Sequence, residues 1–132
     1  MDMEQRLYQA AIKLIEKRYP TGWGGAAAMG TENGMILTSV APEAINASTE
    51  LCIETGCICE AHKLNQIVTH SICIVRENAI SPFQILTPCG VCQERLFYWG
   101  PQVKAAVYTP DGQLRYQSLK EIQPYHWYQA YR

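Results

Sequence analysis

Apolar residues recur at helical spacing at the start of the chain, at Leu7, Ala11, Leu14 and Ile15, and predict an amphipathic helix from Met3 to about Arg18. Pro20 and the three glycines of "YPTGWGG" stop that pattern. The stretch "AAAMGTENGMILTSV" then reads as two short strands around Asn33-Gly34, a strong two-residue hairpin signal. After the loop "APEAINAS", Ser48 or Thr49 is expected to cap a helix that runs to about Asn65. "HSICIVR" is short, β-branched and nearly all apolar, which suits a strand covered on both faces.

"ENAISPFQILT" reads as a loop, and Pro88 stands where the next helix would begin, with Gly100 as its end. "VKAAVYT" and "QLRYQ" flank the turn Pro110-Asp111-Gly112 as further strands. Ser118 with Glu121 forms the capping-box start of a short final helix, "SLKEI". The order αββαβαββα has no linker and no repeat. It predicts the α/β class: one domain over residues 1–132, a three-layer α-β-α arrangement with a mixed five-stranded sheet.

At 132 residues the chain is long enough to bury a sizeable core without disulfides. Its net charge of -1 gives no field for a polyanion, so no nucleic-acid partner is expected. Acids and bases alternate through the first twenty positions, and no apolar run approaches ~18 residues, so neither a signal peptide nor a membrane span is expected. A cytoplasmic location follows as the expectation. Six cysteines fall short of the density of a disulfide-stapled secreted domain, and a reducing compartment would keep them as thiols.

Three of the six lie in "LCIETGCICE", residues 51–60. Cys89 and Cys92 stand two residues apart directly after Pro88, at the expected start of a helix, where both sulfurs can meet one metal ion and the helix dipole favours thiolates. Alone, that spacing also fits a redox pair or packed thiols. Cys52 and Glu54 are expected in the first turn of the earlier helix. If the two helix ends converge, Cys52, Cys89 and Cys92 supply three thiolates and leave a fourth position open for water, as catalytic zinc sites do. Glu54 would stand beside that water as a proton carrier. The competing arrangement is a closed four-thiolate site using Cys57 or Cys59, but both are displaced along the helix axis. Cys73, inside "SICIV", reads as core.

C-x-E followed at a distance by P-C-x-x-C is the zinc-deaminase signature. Here it reads Cys52-Ile53-Glu54 and Pro88-Cys89-Gly90-Val91-Cys92. With "GGAAA", "TPCGVCQERL" and "LKEIQPYHW", the chain resembles the cytidine deaminase superfamily, in the branch of cytidine and blasticidin-S deaminases, from about Leu7 to Trp127. The resemblance implies one zinc ion per chain and hydrolysis of a cyclic amidine C–N bond. Glu54 would be base and then acid, the Ile53 N–H would hold the ring carbonyl, and the Thr87 carbonyl would steer the departing ammonia. The implied substrate is a cytosine-type nucleoside or analogue: cytidine, deoxycytidine or blasticidin S. The alternatives are another aminated heterocycle, or a zinc-binding domain without catalysis.

Three positions depart from that pattern. Of the asparagine and glutamate that hold the ribose in the family, the glutamate's place is filled by Glu43 and the asparagine's by Ala41. Thr55 stands where an arginine often offsets the three thiolates, which leaves helix dipoles or another cation such as Arg95 to do so. Trp23 is one position away from the aromatic that covers the base. The tail "PYHWYQAYR" carries five aromatic or imidazole rings, costly to leave bare, and points to a homodimer or homotetramer.

Overall fold

In the computed structural model, which describes residues 1–131, the first helix, α1, spans Met3–Arg18 as its apolar spacing predicts. The Asp2 side chain caps it by accepting from the Gln5 N–H at 2.9 Å, and Leu7, Ala11 and Ile15 are buried. Strands β1 (Gly24–Thr31) and β2 (Ile36–Ser39) follow as an antiparallel pair. The turn between them needs Gly34 at a φ of +87°, a backbone conformation that costs glycine nothing.

The second helix starts later than expected. Ser48 and Thr49 belong to a single 3-10 turn, Ala47–Thr49, whose cap is Asn46. The Ser48 hydroxyl donates back to Asn46 Oδ1 (2.8 Å) and the Thr49 hydroxyl to the Asn46 carbonyl (2.7 Å), so neither is free to cap a longer helix. Glu50 is then extended, and helix α2 runs only from Thr55 to Lys63. Cys52 and Glu54 therefore lie in the turn that leads into α2, with Glu54 as its N-cap residue.

Strand β3 (Val68–Arg76) is central: it pairs antiparallel with β1 along its whole length and parallel with β5 (Lys104–Ala106). The five expected strands form the path β2-β1-β3-β5-β6, with β6 at Tyr116–Ser118, and the sheet is mixed. The segment read as a loop after β3 adds a two-residue strand, β4 (Gln84–Ile85), set opposite Ile74 and Val75. Helix α3 (Gly90–Leu96) has Cys89 as its N-cap residue and continues as a 3-10 turn, Phe97–Trp99. Helix α4 (Leu119–Ile122) has both bonds of the Ser118–Glu121 capping box.

The sheet is covered on both sides, as the continuous burial of β1 requires. Alternation along β1 sends Ala26 and Ala28 to the α1 side, with Leu7, Ile15, Ile72 and Ile74, and Ala27 and Met29 to the α2/α3 side, with Ile58, Leu96 and Leu119. Each large side chain so buried contributes about 1.5–3 kcal/mol. The result is the three-layer architecture the element order predicts.

Candidate metal centre and active site

Two short turns meet over the α2/α3 face. One is the entry to α2, where the Thr55 N–H donates to the Cys52 carbonyl (3.1 Å) and the Ile58 N–H to that of Glu54 (3.1 Å). The other is the Thr87-Pro88-Cys89 approach to α3, closed by the Gln93 N–H on the Cys89 carbonyl (2.9 Å). They bring the sulfurs of Cys52, Cys89 and Cys92 within 4.8 Å of one another, with 3.4 Å between Cys52 and Cys89. Among the described residues this is the one cluster of its kind. Cys92 is fully buried, Cys52 half-buried and Cys89 exposed, so the cluster is open on one side.

Three sulfurs from two segments are a donor set suited to a borderline-soft divalent ion such as zinc. Burial pushes the Cys92 thiol up, and the Glu54 charge adds to that. Burial also raises Cys52. At Cys89 burial pulls in the same direction, but the backbone N–H of Cys92, the Cys52 sulfur and the N–H of Val91 outweigh it, and the net shift is downward. That is the helix-start effect the spacing predicts.

Glu54 is 5% exposed. Burial raises its pKa, against the opposing pull of its own backbone N–H and of the Cys92 thiol beside it. Its charged form is thus disfavoured by burial, and the carboxyl lies beside the Cys92 thiol at the edge of the cluster.

The other cysteines lie outside the cluster. Cys57 is buried on α2 over β1 and β2, its sulfur 3.5 Å from the Leu37 carbonyl, and burial pushes its thiol up to about 12. Cys73 is buried in β3 with its thiol likewise raised, and Cys59 is exposed on α2.

Around the cluster, Ile53 is half-buried and its carbonyl accepts from the Ser39 hydroxyl at 2.8 Å. Thr87 is exposed at the entry to Cys89, and its hydroxyl accepts from the Tyr108 N–H at 2.9 Å. Trp23 is half-exposed, and it meets Ile53 across Gly25: a Cβ at residue 25 would fall 2.8 Å from the indole and 2.9 Å from Ile53 Cδ1. The glycine lets the backbone pass beneath both side chains. Glu43 is the outlier. Its side chain is 86% exposed, 3.8 Å from the Arg18 guanidinium, and no hydrogen bond or ion pair among the described residues joins it to the cluster.

Two side chains carry contacts here that no local pattern announces. Ser39 anchors the Ile53 peptide from fourteen positions away. Arg95 Nη1 donates to the Thr55 hydroxyl at 3.1 Å, bridging α2 and α3 beside the residue where the resemblance leads one to expect an arginine.

The chain aligns along 98% of its length with the crystal structure of the cytidine deaminase from Bacillus anthracis, covering 93% of that protein at 59% identity and a TM-score of 0.97. It belongs to the cytidine deaminase family. Membership makes it a hydrolase of carbon–nitrogen bonds. Two more distant cytidine deaminases share the fold: that of Mycobacterium leprae (21% identity, 94% of this chain and 99% of the other, TM-score 0.71) and that of Burkholderia pseudomallei (19%, 95% and 98%, 0.71). No family model and no curated protein matches the chain. Among the described residues, no helix is long and apolar enough to cross a membrane.

Proposed function

We propose that the chain, read as one deaminase domain, is a zinc-dependent hydrolytic deaminase of a cytosine-type nucleoside, cytidine or deoxycytidine. The observation that carries this reading is the buried Glu54 carboxyl beside the three-sulfur cluster, in a chain 59% identical to a cytidine deaminase. Cys52, Cys89 and Cys92 hold one zinc ion per chain. Bound there, zinc would supply the Lewis acidity that makes water a nucleophile near neutral pH.

Glu54 takes a proton from the attacking water, passes it to the ring nitrogen, and carries another to the departing amine. An aminopyrimidine and water thereby become a keto-pyrimidine and ammonia. The Ile53 N–H donates to the ring carbonyl, and the Ser39 hydroxyl on the Ile53 carbonyl keeps that peptide from rotating. The Thr87 carbonyl accepts from the leaving ammonia. Trp23 and Ile53 offer an apolar wall to a planar ring, and Glu43, on its exposed loop, reaches for a sugar hydroxyl. Arg95, tied to Thr55, offsets the negative charge of three thiolates and a carboxylate.

Ala41, in the place of the ribose-binding asparagine, favours one second reading: a pyrimidine nucleoside analogue such as blasticidin S. The exposed rings of Tyr125, Trp127, Tyr128 and Tyr131 support assembly as a homodimer or homotetramer, and six free thiols suit the cytoplasm.

Metal analysis together with an ammonia assay on cytidine, deoxycytidine, cytosine and blasticidin S tests the reading. About one zinc per chain and turnover of cytidine or deoxycytidine are expected. Turnover of blasticidin S alone moves the assignment to the second reading. Zinc without turnover of any of the four refutes the cytosine-type substrate and leaves another aminated heterocycle or a non-catalytic zinc domain, and a protein that binds no zinc refutes the mechanism.

A further inference from the structure

We propose that Gln93 is a positioning residue for the Thr87-Pro88-Cys89 loop, held in its working orientation by the C-terminal segment through Gln123. The inference rests on the zinc reading above. Pro88 is buried, and its carbonyl sits one peptide bond before Cys89. A carbonyl can only accept, so the group that satisfies it must be a donor.

Gln93 Nε2 donates to that carbonyl at 2.6 Å. With its NH2 so committed, Gln93 Oε1 faces the other way and accepts from Gln123 Nε2 at 2.5 Å. The direction of donation is thus fixed through both amides by the proline at one end. Gln93 is itself 8% exposed, a position on α3 where packing alone would be served by an apolar side chain. Its backbone N–H closes the helix turn on the Cys89 carbonyl while its side chain holds the peptide before Cys89, so one residue fixes both sides of the exposed sulfur.

Gln123 is in turn fixed by the fold. It ends α4, its N–H donating to the Leu119 carbonyl at 2.8 Å, and α4 is set by the Ser118–Glu121 capping box. Beyond it, His126 Nε2 and Trp127 Nε1 reach Glu94 at 2.9 and 3.1 Å, and the His126 ring stacks on Phe97. The C-terminal segment therefore grips the consecutive residues 93 and 94, directly after Cys92 and about one turn beyond Cys89. On the far side of the loop the Tyr108 N–H pins the Thr87 hydroxyl. Cys89, exposed and 3.4 Å from the Cys52 sulfur, is held at that distance by supports behind it and not by burial.

The test uses the full chain with Gln93→Met, Gln123→Met and the double variant. Zinc affinity is measured by chelator competition, and cobalt(II) in place of zinc reports ligand geometry through its thiolate charge-transfer and d–d bands. Gln93→Met is expected to weaken zinc binding roughly ten- to hundredfold, the usual loss when a ligand's outer support is removed, and to shift the cobalt bands. Gln123→Met should act in the same direction and more weakly. The double variant should be no worse than Gln93→Met, because both belong to one chain of bonds. Leu96→Ala, which removes packing from the same helix, should lower stability and leave the cobalt bands of the folded protein in place.

Wild-type affinity and an unshifted cobalt spectrum in Gln93→Met overturn the proposal, as do fully additive losses in the double variant. If Gln93→Met does not fold, Gln123→Met decides: unchanged zinc affinity there overturns it equally. A wild-type chain that takes up neither metal removes the zinc reading and this inference together, whereas a metal-binding wild type with indifferent variants removes this inference alone.

Discussion

On one face of the sheet a single sixteen-residue helix buries Leu7, Ala11 and Ile15 against Ala26, Ala28, Ile72 and Ile74. On the other, helices of nine and seven residues bury Glu54, Gln93 and His126 along with Ile58 and Leu96. The α1 face is held by transfer of apolar area and by caps, terms that act on the native state as a whole. The α2/α3 face spends part of its burial on polar groups, each of which is tolerable only while its partner is in place. Substitutions on the two faces should therefore separate stability from chemistry.

The largest separation is expected from Glu54→Gln. The amide keeps the shape and removes the proton carrier, so ammonia release should fall by roughly two to four orders of magnitude while zinc stays bound and the melting temperature holds or rises. Turnover within tenfold of wild type would refute the proton role of Glu54. Leu7→Ala is the mirror experiment. It leaves a void under α1, and urea unfolding should show a loss of about 2–5 kcal/mol, with kcat of the folded protein unchanged. A kcat that falls with stability would mean the two faces are coupled more tightly than their packing implies.

Arg95→Ala sharpens the comparison within the site face. The residue is exposed and, among the described residues, its side chain bonds the Thr55 hydroxyl, so its loss should barely move the melting temperature, yet it should weaken zinc binding by about tenfold, read by chelator competition. Equal zinc affinity in mutant and wild type would assign the charge balance to the helix ends instead.

The smallest effect concerns His70, half-buried in β3 beside Tyr116 and Thr69. Burial lowers its pKa below the ordinary 6.5, the charges of Glu4 and Asp2 opposing and that of Lys104 assisting. The unfolded chain then takes up the proton first. Stability is complete above pH 6.5 and declines as the pH falls through that value toward the lower folded one. Urea midpoints at pH 5.5 and 7.5 should differ less in His70→Gln than in wild type, and identical differences would exclude this histidine as the source.

How far the sequence could be read follows the same division. Helix α1 and the Ser118 capping box each carry their signal within a few residues and lie where it puts them, while the Asn33-Gly34 turn is in place but longer than two residues, the Thr31 N–H closing it on the Met35 carbonyl. Helix α2 starts later than its apparent caps suggest because Asn46 competes for the very hydroxyls of Ser48 and Thr49 that would cap a longer helix. Strand β4 has no periodicity of its own and exists only because β3 offers an edge. In the site, the meeting of Cys52, Cys89 and Cys92 was legible from the C-x-E and P-C-x-x-C spacing, and Glu54 lies buried beside them in the turn before α2. Ser39 to Ile53, Gln93 to Gln123 and Arg95 to Thr55 span 14, 30 and 40 positions, distances at which only the fold decides what meets.

If the cluster holds the proposed zinc, the uneven burial of the six thiols makes its occupancy readable from outside. Cys57 and Cys73 are sealed and held as thiols by burial, Cys92 is out of reach, and Cys59 stands open on α2 whatever the state of the site. A mild maleimide should then label Cys59 alone in the loaded protein and Cys52 and Cys89 as well once the ion is stripped, so that the mass of the labelled chain reports occupancy molecule by molecule, without any assay of turnover.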